Sequence, residues 1–110
     1  MTTLFRLCTA SAWERVPDGY YRGSTRGVTL EEQGFIHCSL AHQVRTVADA
    51  IYADAGGLVL LVIDDTRLDA PVRYEGGFPH IYGPLPVSAV VDVVPVGRDS
   101  SGDWTGLPAG

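Results

Sequence analysis

Residues 4–8, LFRLC, form a short mixed apolar run that predicts a strand. A short helix is expected over 9–16, because Ser11-Ala12-Trp13-Glu14 has the spacing of a capping box, and Pro17-Asp18-Gly19 stops it. GYYRGSTRGV then reads as a strand or an extended loop. Glu31-Glu32-Gln33-Gly34 leads into GFIHCS, a strand by its aromatic and β-branched content. Leu40, Val44, Val47, Ala48 and Ile51 fall on one apolar stripe, which predicts a helix over 40–52 capped by Ser39 and closed near Gly56-Gly57. LVLLVID (58–64) is continuously apolar, the pattern of a central strand covered on both faces. After a turn-like stretch over 64–71, VRYE (72–75) predicts a strand, and Pro84 and Pro86 interrupt the chain beyond it. SAVVDVVPV (88–96) is a last strand, in which Pro95 marks an edge or a bulge.

Strands outnumber helices, and the helices are too irregularly placed for a doubly wound sheet. The expected class is α+β, with small antiparallel or mixed sheets and helices packed outside. A single domain spans 1–96, and the polar, glycine-rich 97–110 is expected to be a flexible tail.

Charge narrows the chemistry. Eight basic residues, all arginine, stand against thirteen acidic ones, for a net charge of -5. Without lysine there is no Schiff base, P-loop lysine or Ser-Lys dyad. The acidic balance argues against duplex nucleic acid as a partner. Cys8 and Cys38 are too few for a disulfide framework and are expected as free thiols in a cytoplasmic protein. No apolar run reaches signal-peptide or membrane-span length. The histidines and cysteines lack metal-ligand spacing, so no metal is expected. Neither Ser24 nor Ser39 sits in a nucleophile elbow.

Polar chemistry gathers in three stretches. In GFIHCS, strand alternation puts Phe35, His37 and Ser39 on one face and turns Cys38 into the core. The run from Tyr74 to Leu85 concentrates Glu75, His80 and Tyr82 among glycines that admit close approach of a ligand, with His80 and Tyr82 sharing a face. In the third, Tyr20, Arg22 and Ser24 alternate with Tyr21 and Gly23, an arrangement able to pair an anion with a stacked ring. Two histidines facing one cleft, with Arg22 or Arg73 in reach, would form an anion site in an acidic protein. The expectation is that His37 and His80 converge, partly exposed, on a pocket of a few hundred Å³.

GFIHCS, Gln43 four residues after its serine, an apolar strand ending in Asp64, and FPHIYGPL together resemble domain-of-unknown-function family 952. The likeness runs from about Leu4 to Val96. It implies remote similarity to the ADP-ribosyltransferase-like fold, with NAD as substrate in a cleft between two small sheets. A polar residue on an early strand then holds the nicotinamide ribose, aromatics flank the nicotinamide, and a late carboxylate steadies the ribose cation. Here Arg6 or Cys8 occupies the early position, and Asp92 is the carboxylate on the last strand, with Glu75 before it. The segment between Glu75 and Phe78 is shorter than in typical members and lacks their Ser-Arg pair.

The resulting expectation assigns His37, Glu75 and His80 to catalysis, by glycosidic-bond cleavage or ADP-ribosyl transfer. Tyr20, Arg22, Ser24, Ser39, Gln43, Arg73 and Tyr82 are assigned to ligand binding. The alternatives are a non-catalytic module for a nucleotide or small anionic metabolite, and a protein-interaction domain.

Overall fold

The computed structural model describes residues 1–109. In chain order it has β1 (Thr3–Thr9), α1 (Ala10–Glu14), β2 (Tyr20–Tyr21), β3 (Gly23–Thr25), β4 (Val28–Thr29), α2 (Leu30–Gln33) and β5 (Ile36–His37). There follow α3 (Val44–Ile51), β6 (Leu58–Asp64), β7 (Val72–Glu75), β8 (Phe78–Ile81), β9 (Leu85–Pro86), β10 (Val90–Arg98) and β11 (Trp104–Thr105). This is a small α+β fold with several small sheets, and every strand pairing among the described residues is antiparallel.

The main sheet has the order β1-β6-β10-β11. Its centre is the apolar run expected there: Leu58, Leu60, Leu61 and Ile63 of β6 are all buried. One face of β6 joins Leu4, Cys8, Ile36 and Ile81 in a core shared with the β5-β8-β7 sheet. The other face packs with Leu7 against Val44, Ala48 and Tyr52. The apolar stripe of α3 therefore points where its spacing predicts, but the helix is shorter than 40–52. Residues 41–43 form a 3₁₀ turn instead. Gln43 Oε1 accepts from the Leu40 N–H at 2.8 Å, so Gln43 rather than Ser39 satisfies the entry to the helix.

Other expectations need correction. The first helix is capped by Thr9, whose hydroxyl accepts from the Ala12 N–H at 3.2 Å; Ser11 and Glu14 form no capping box. The capping box lies at α2, where Thr29 and Glu32 satisfy each other's backbone N–H groups. Residues 87–89 form a 3₁₀ turn, so the last strand starts at Val90, and its register shift falls between Val90 and Asp92 rather than at Pro95.

Part of the segment expected as a tail is paired strand. β10 runs on to Arg98, and β11 pairs back on it. The Arg98 guanidinium lies 3.8 Å from the Trp104 ring centroid, and the Trp104 indole N–H donates to Asp49 at 2.7 Å. Trp104 and Leu107 pack on the Leu7–Val44–Tyr52 core. Gly106, at φ 89°, lies so close to the Pro95 carbonyl that a Cβ would overlap it.

Candidate functional site

The site is built on one face of the β5-β8-β7 sheet. His37 of β5 and Arg73 of β7 both stand opposite His80 of β8. Residues directly opposite in antiparallel strands project to the same face, so all three side chains share it. Alternation adds Phe78 and Tyr82 from the β8 side, Phe35 from the β5 side and Glu75 from β7. The rings touch: His37 and His80 centroids are 4.7 Å apart in an edge-on arrangement. Phe35 stacks on His80 at 4.2 Å and lies 4.8 Å from His37 and 5.2 Å from Tyr82. Arg73 lies over the Tyr82 ring at 5.0 Å.

Glu75 reaches His80 because of the turn between β7 and β8. Gly76 and Gly77 have φ 60° and 82°, the double positive-φ conformation of a tight hairpin. Glu75 thus closes the hairpin opposite Phe78, and His80 is its diagonal neighbour. Its carboxylate meets His80 Nδ1 at 2.7 Å and accepts from the Tyr82 hydroxyl at 2.5 Å. Gln43 donates from Nε2 to the Gly77 carbonyl at 2.8 Å and pins the hairpin to the entry of α3.

A cavity of about 350 Å³ opens beside this face. His37, His80, Ser39 and Phe78 line it on one side, Phe5 and Arg6 of β1 on another, and Val44, Val47 and Ile51 of α3 close it. No carboxylate is among its lining residues. His80 is 8% exposed, and His37 is half-buried. Burial, helped by the neighbouring His80 and Arg6, holds His37 below the usual histidine pKa. The hydrogen bonds from Tyr82 and then His80 hold Glu75 below the usual carboxylate range, and the bond to Glu75 pushes the Tyr82 phenol up.

The expected residues therefore divide. His37, Ser39 and His80 meet on the cavity wall. Glu75, Tyr82 and Arg73 stand on the same sheet face but do not line the cavity; Glu75 lies behind His80, where it orients an imidazole rather than facing a ligand. Gln43 holds the hairpin and the helix entry. Tyr20, Arg22 and Ser24 lie outside the cleft. Tyr20 contacts Asp69 at 3.4 Å, and Arg22 pairs with Asp18 at 2.8 Å. Ser24 is fully buried and donates its hydroxyl to the Phe35 carbonyl, so it supports the strand and is closed to a ligand. Asp92 is not among the residues of the cavity either. Cys38 is buried, as its strand face predicts, and Cys8 is buried as well; burial pushes Cys38 up to about 12 and also raises Cys8.

Arg6 and Thr25 also line the cavity; Arg6 is one of the two residues placed at the early-strand position by the resemblance, and Thr25 is not among the expected ligand contacts. A signal for Arg6 exists in the sequence. In LFRLC the arginine takes the same face as Leu4 and Cys8, both buried, and it is itself only 5% exposed. Among the described residues, no group of three or more His, Cys, Asp and Glu side chains is placed to hold a metal ion.

The chain is a small α+β domain in which an antiparallel sheet presents two edge-on imidazoles to an apolar cleft, one of them backed by a carboxylate. Residues 7–93 match the model of the family described as Protein of unknown function (DUF952), and the chain belongs to that family. No curated protein matches it. The chain is similar to protein CC0527 from Caulobacter crescentus, whose crystal structure superposes with a TM-score of 0.80 at 28% identity and 94% coverage of each chain. The solution structure of the same protein gives 0.74 at 29% identity, over 93% of this chain and 90% of that one.

Proposed function

We propose that the cleft between α3 and the β5-β8-β7 sheet binds a nucleotide of the NAD type. The observation that carries this reading is the placement of His37 and His80, 4.7 Å apart, on a cavity of about 350 Å³ that no carboxylate lines. In a chain of net charge -5, such a wall accepts negative charge. Phe5 and Phe78 add aromatic rings to the lining, against which a base can pack. The volume suits a bound mononucleotide half and falls in the small-ligand class.

Calorimetric titration with NAD and with AMP tests the proposal. Saturable binding is expected, weakened at least tenfold in His37→Asn and in His80→Asn. A flat titration with the folded wild type would remove the reading and leave a protein-interaction domain.

The Glu75–His80 hydrogen bond favours a second reading, turnover at the N-glycosidic bond. With Nδ1 engaged by the carboxylate, Nε2 is the ring nitrogen left to meet a water or an acceptor hydroxyl. As that oxygen bonds to the anomeric carbon, the bond to nicotinamide breaks, and His80 takes the proton that the nucleophile loses. Glu75 acts through His80, and no carboxylate faces the ribose. Nicotinamide release from NAD separates the readings. Release that falls in Glu75→Gln with unchanged NAD affinity supports turnover, and binding without release supports a non-catalytic module.

A further inference from the structure

Arg6 carries a buried positive charge that no acid neutralises. The residue is 5% exposed, and among the described residues none of the ion pairs involves it. Its donors meet neutral acceptors only. Nε reaches the Gly23 carbonyl at 3.3 Å, Nη1 the Leu7 carbonyl and the Tyr52 hydroxyl, and Nη2 the Tyr21 hydroxyl at 3.3 Å. Nη2 bears two N–H groups, and only one has an acceptor. Burying a charge without a counter-ion is costly, and the chain has thirteen carboxylates from which a partner could have been drawn.

The head of this arginine belongs to a second cavity, of about 370 Å³, which shares Arg6 and Thr25 with the histidine cleft. Gly23, Tyr21 and Tyr52, which supply three of its acceptors, all line that cavity; Leu7 alone lines the other. Arg26 also lines the second cavity, and its guanidinium lies over the Tyr52 ring at 5.8 Å. Arg26 pairs at 2.6 Å with Asp54, a side chain 82% exposed and outside the lining. The cavity thus has two guanidinium groups, two phenols and no carboxylate in its wall, in an acidic protein.

We propose that this second cavity is an anion site for a phosphate group, inorganic or carried as a monoester, held by Arg6 at its base and Arg26 at its rim. Two guanidinium groups favour a dianion over a monocarboxylate, and the unmatched Nη2 N–H provides a donor for one phosphate oxygen. Gly23 keeps the arrangement in register, since a Cβ there would collide with the Tyr21 hydroxyl. The site does not depend on the nucleotide reading of the histidine cleft, because neither His37 nor His80 lines it.

The experiment titrates inorganic phosphate, with acetate as the monoanionic control, into uniformly ¹⁵N-labelled protein at constant ionic strength. Arginine Nε resonances are followed in the wild type, in Arg26→Gln and in a His37→Asn/His80→Asn variant. Removing Arg6 risks unfolding the core, so the exposed Arg26 carries the test. Saturable shifts of the Arg6 and Arg26 signals are expected, at least fivefold weaker in Arg26→Gln, unchanged in the double histidine variant, and at least tenfold weaker with acetate. Absence of saturation, equal response to acetate, or sensitivity to the histidines instead of Arg26 would each overturn the proposal. A failure here leaves NAD binding to the histidine cleft untouched, and the reverse also holds.

Discussion

His37 lies 4.7 Å from His80, close enough that this neighbour disfavours a proton on His37. Burial acts on His37 in the same direction, so its pKa in the folded protein lies below the ordinary 6.5. The unfolded chain then binds more protons than the native one just below pH 6.5, and stability falls as the solution is acidified through that window. Glu75 adds a second acid-side loss. Its native pKa is depressed below 4.5 by Tyr82 and His80, so its contribution is complete above that value and disappears as pH drops through the native pKa. Urea midpoints measured from pH 7.5 to 3.5 should fall in two stages. His37→Asn should flatten the upper stage and Glu75→Gln the lower one. A wild-type midpoint constant between pH 7 and pH 5 would contradict the assignment for His37.

At the scale of elements, two short features are expected to hold more than their length suggests. Thr29→Ala removes one side of the capping box at α2 and should cost about 1 kcal/mol in chemical denaturation. Trp104→Ala removes the ring that β11 lays over Arg98, with its hydrogen bond to Asp49, and should cost about 2 kcal/mol. A change below a few tenths of a kcal/mol at Trp104 would mean that the 97–105 segment does not contribute to the fold. That segment also marks where sequence reading stops. Trp104 and Leu107 are isolated apolar side chains in a polar run, and nothing local says that a helix face waits for them. Period-2 alternation, by contrast, settles which of His37, Cys38, His80 and Tyr82 share a face, because it needs no knowledge of the partner strand. Ser24 and Glu75 escape sequence reading for the converse reason. A polar residue next to other polar residues reads as exposed, and only the pairing shows that Ser24 is buried with its hydroxyl on the Phe35 carbonyl and that Glu75 folds back on His80. Likewise the Gln43 amide looks free for a ligand in the sequence, whereas both its ends are spent on backbone groups.

At the scale of the molecule, no helix among the described residues is long and apolar enough to cross a membrane, and the formal charge is -5. That net charge repels an anionic ligand at long range, so the nucleotide binding proposed above would rest on the local imidazole wall. The consequence is a pair of opposite pH slopes. Acidification below pH 6.5 weakens the free fold, because His37 is held in its neutral form. The same proton strengthens the cleft for an anion, because binding adds the counter-charge that the empty site lacks. Ligand at about a hundred times its dissociation constant stabilises by roughly 2.7 kcal/mol, and a tenfold gain in affinity at fixed concentration adds about 1.4 kcal/mol. The thermal shift produced by a fixed NAD concentration should therefore be larger at pH 5.5 than at pH 7.5, even as the ligand-free melting temperature declines. His37→Asn should remove most of the difference between the two pH values while keeping a residual shift from the rest of the cleft. A shift that is equal at both pH values in the wild type would mean that His37 carries no charge toward the ligand, and that the cleft recognises it through shape and its apolar wall.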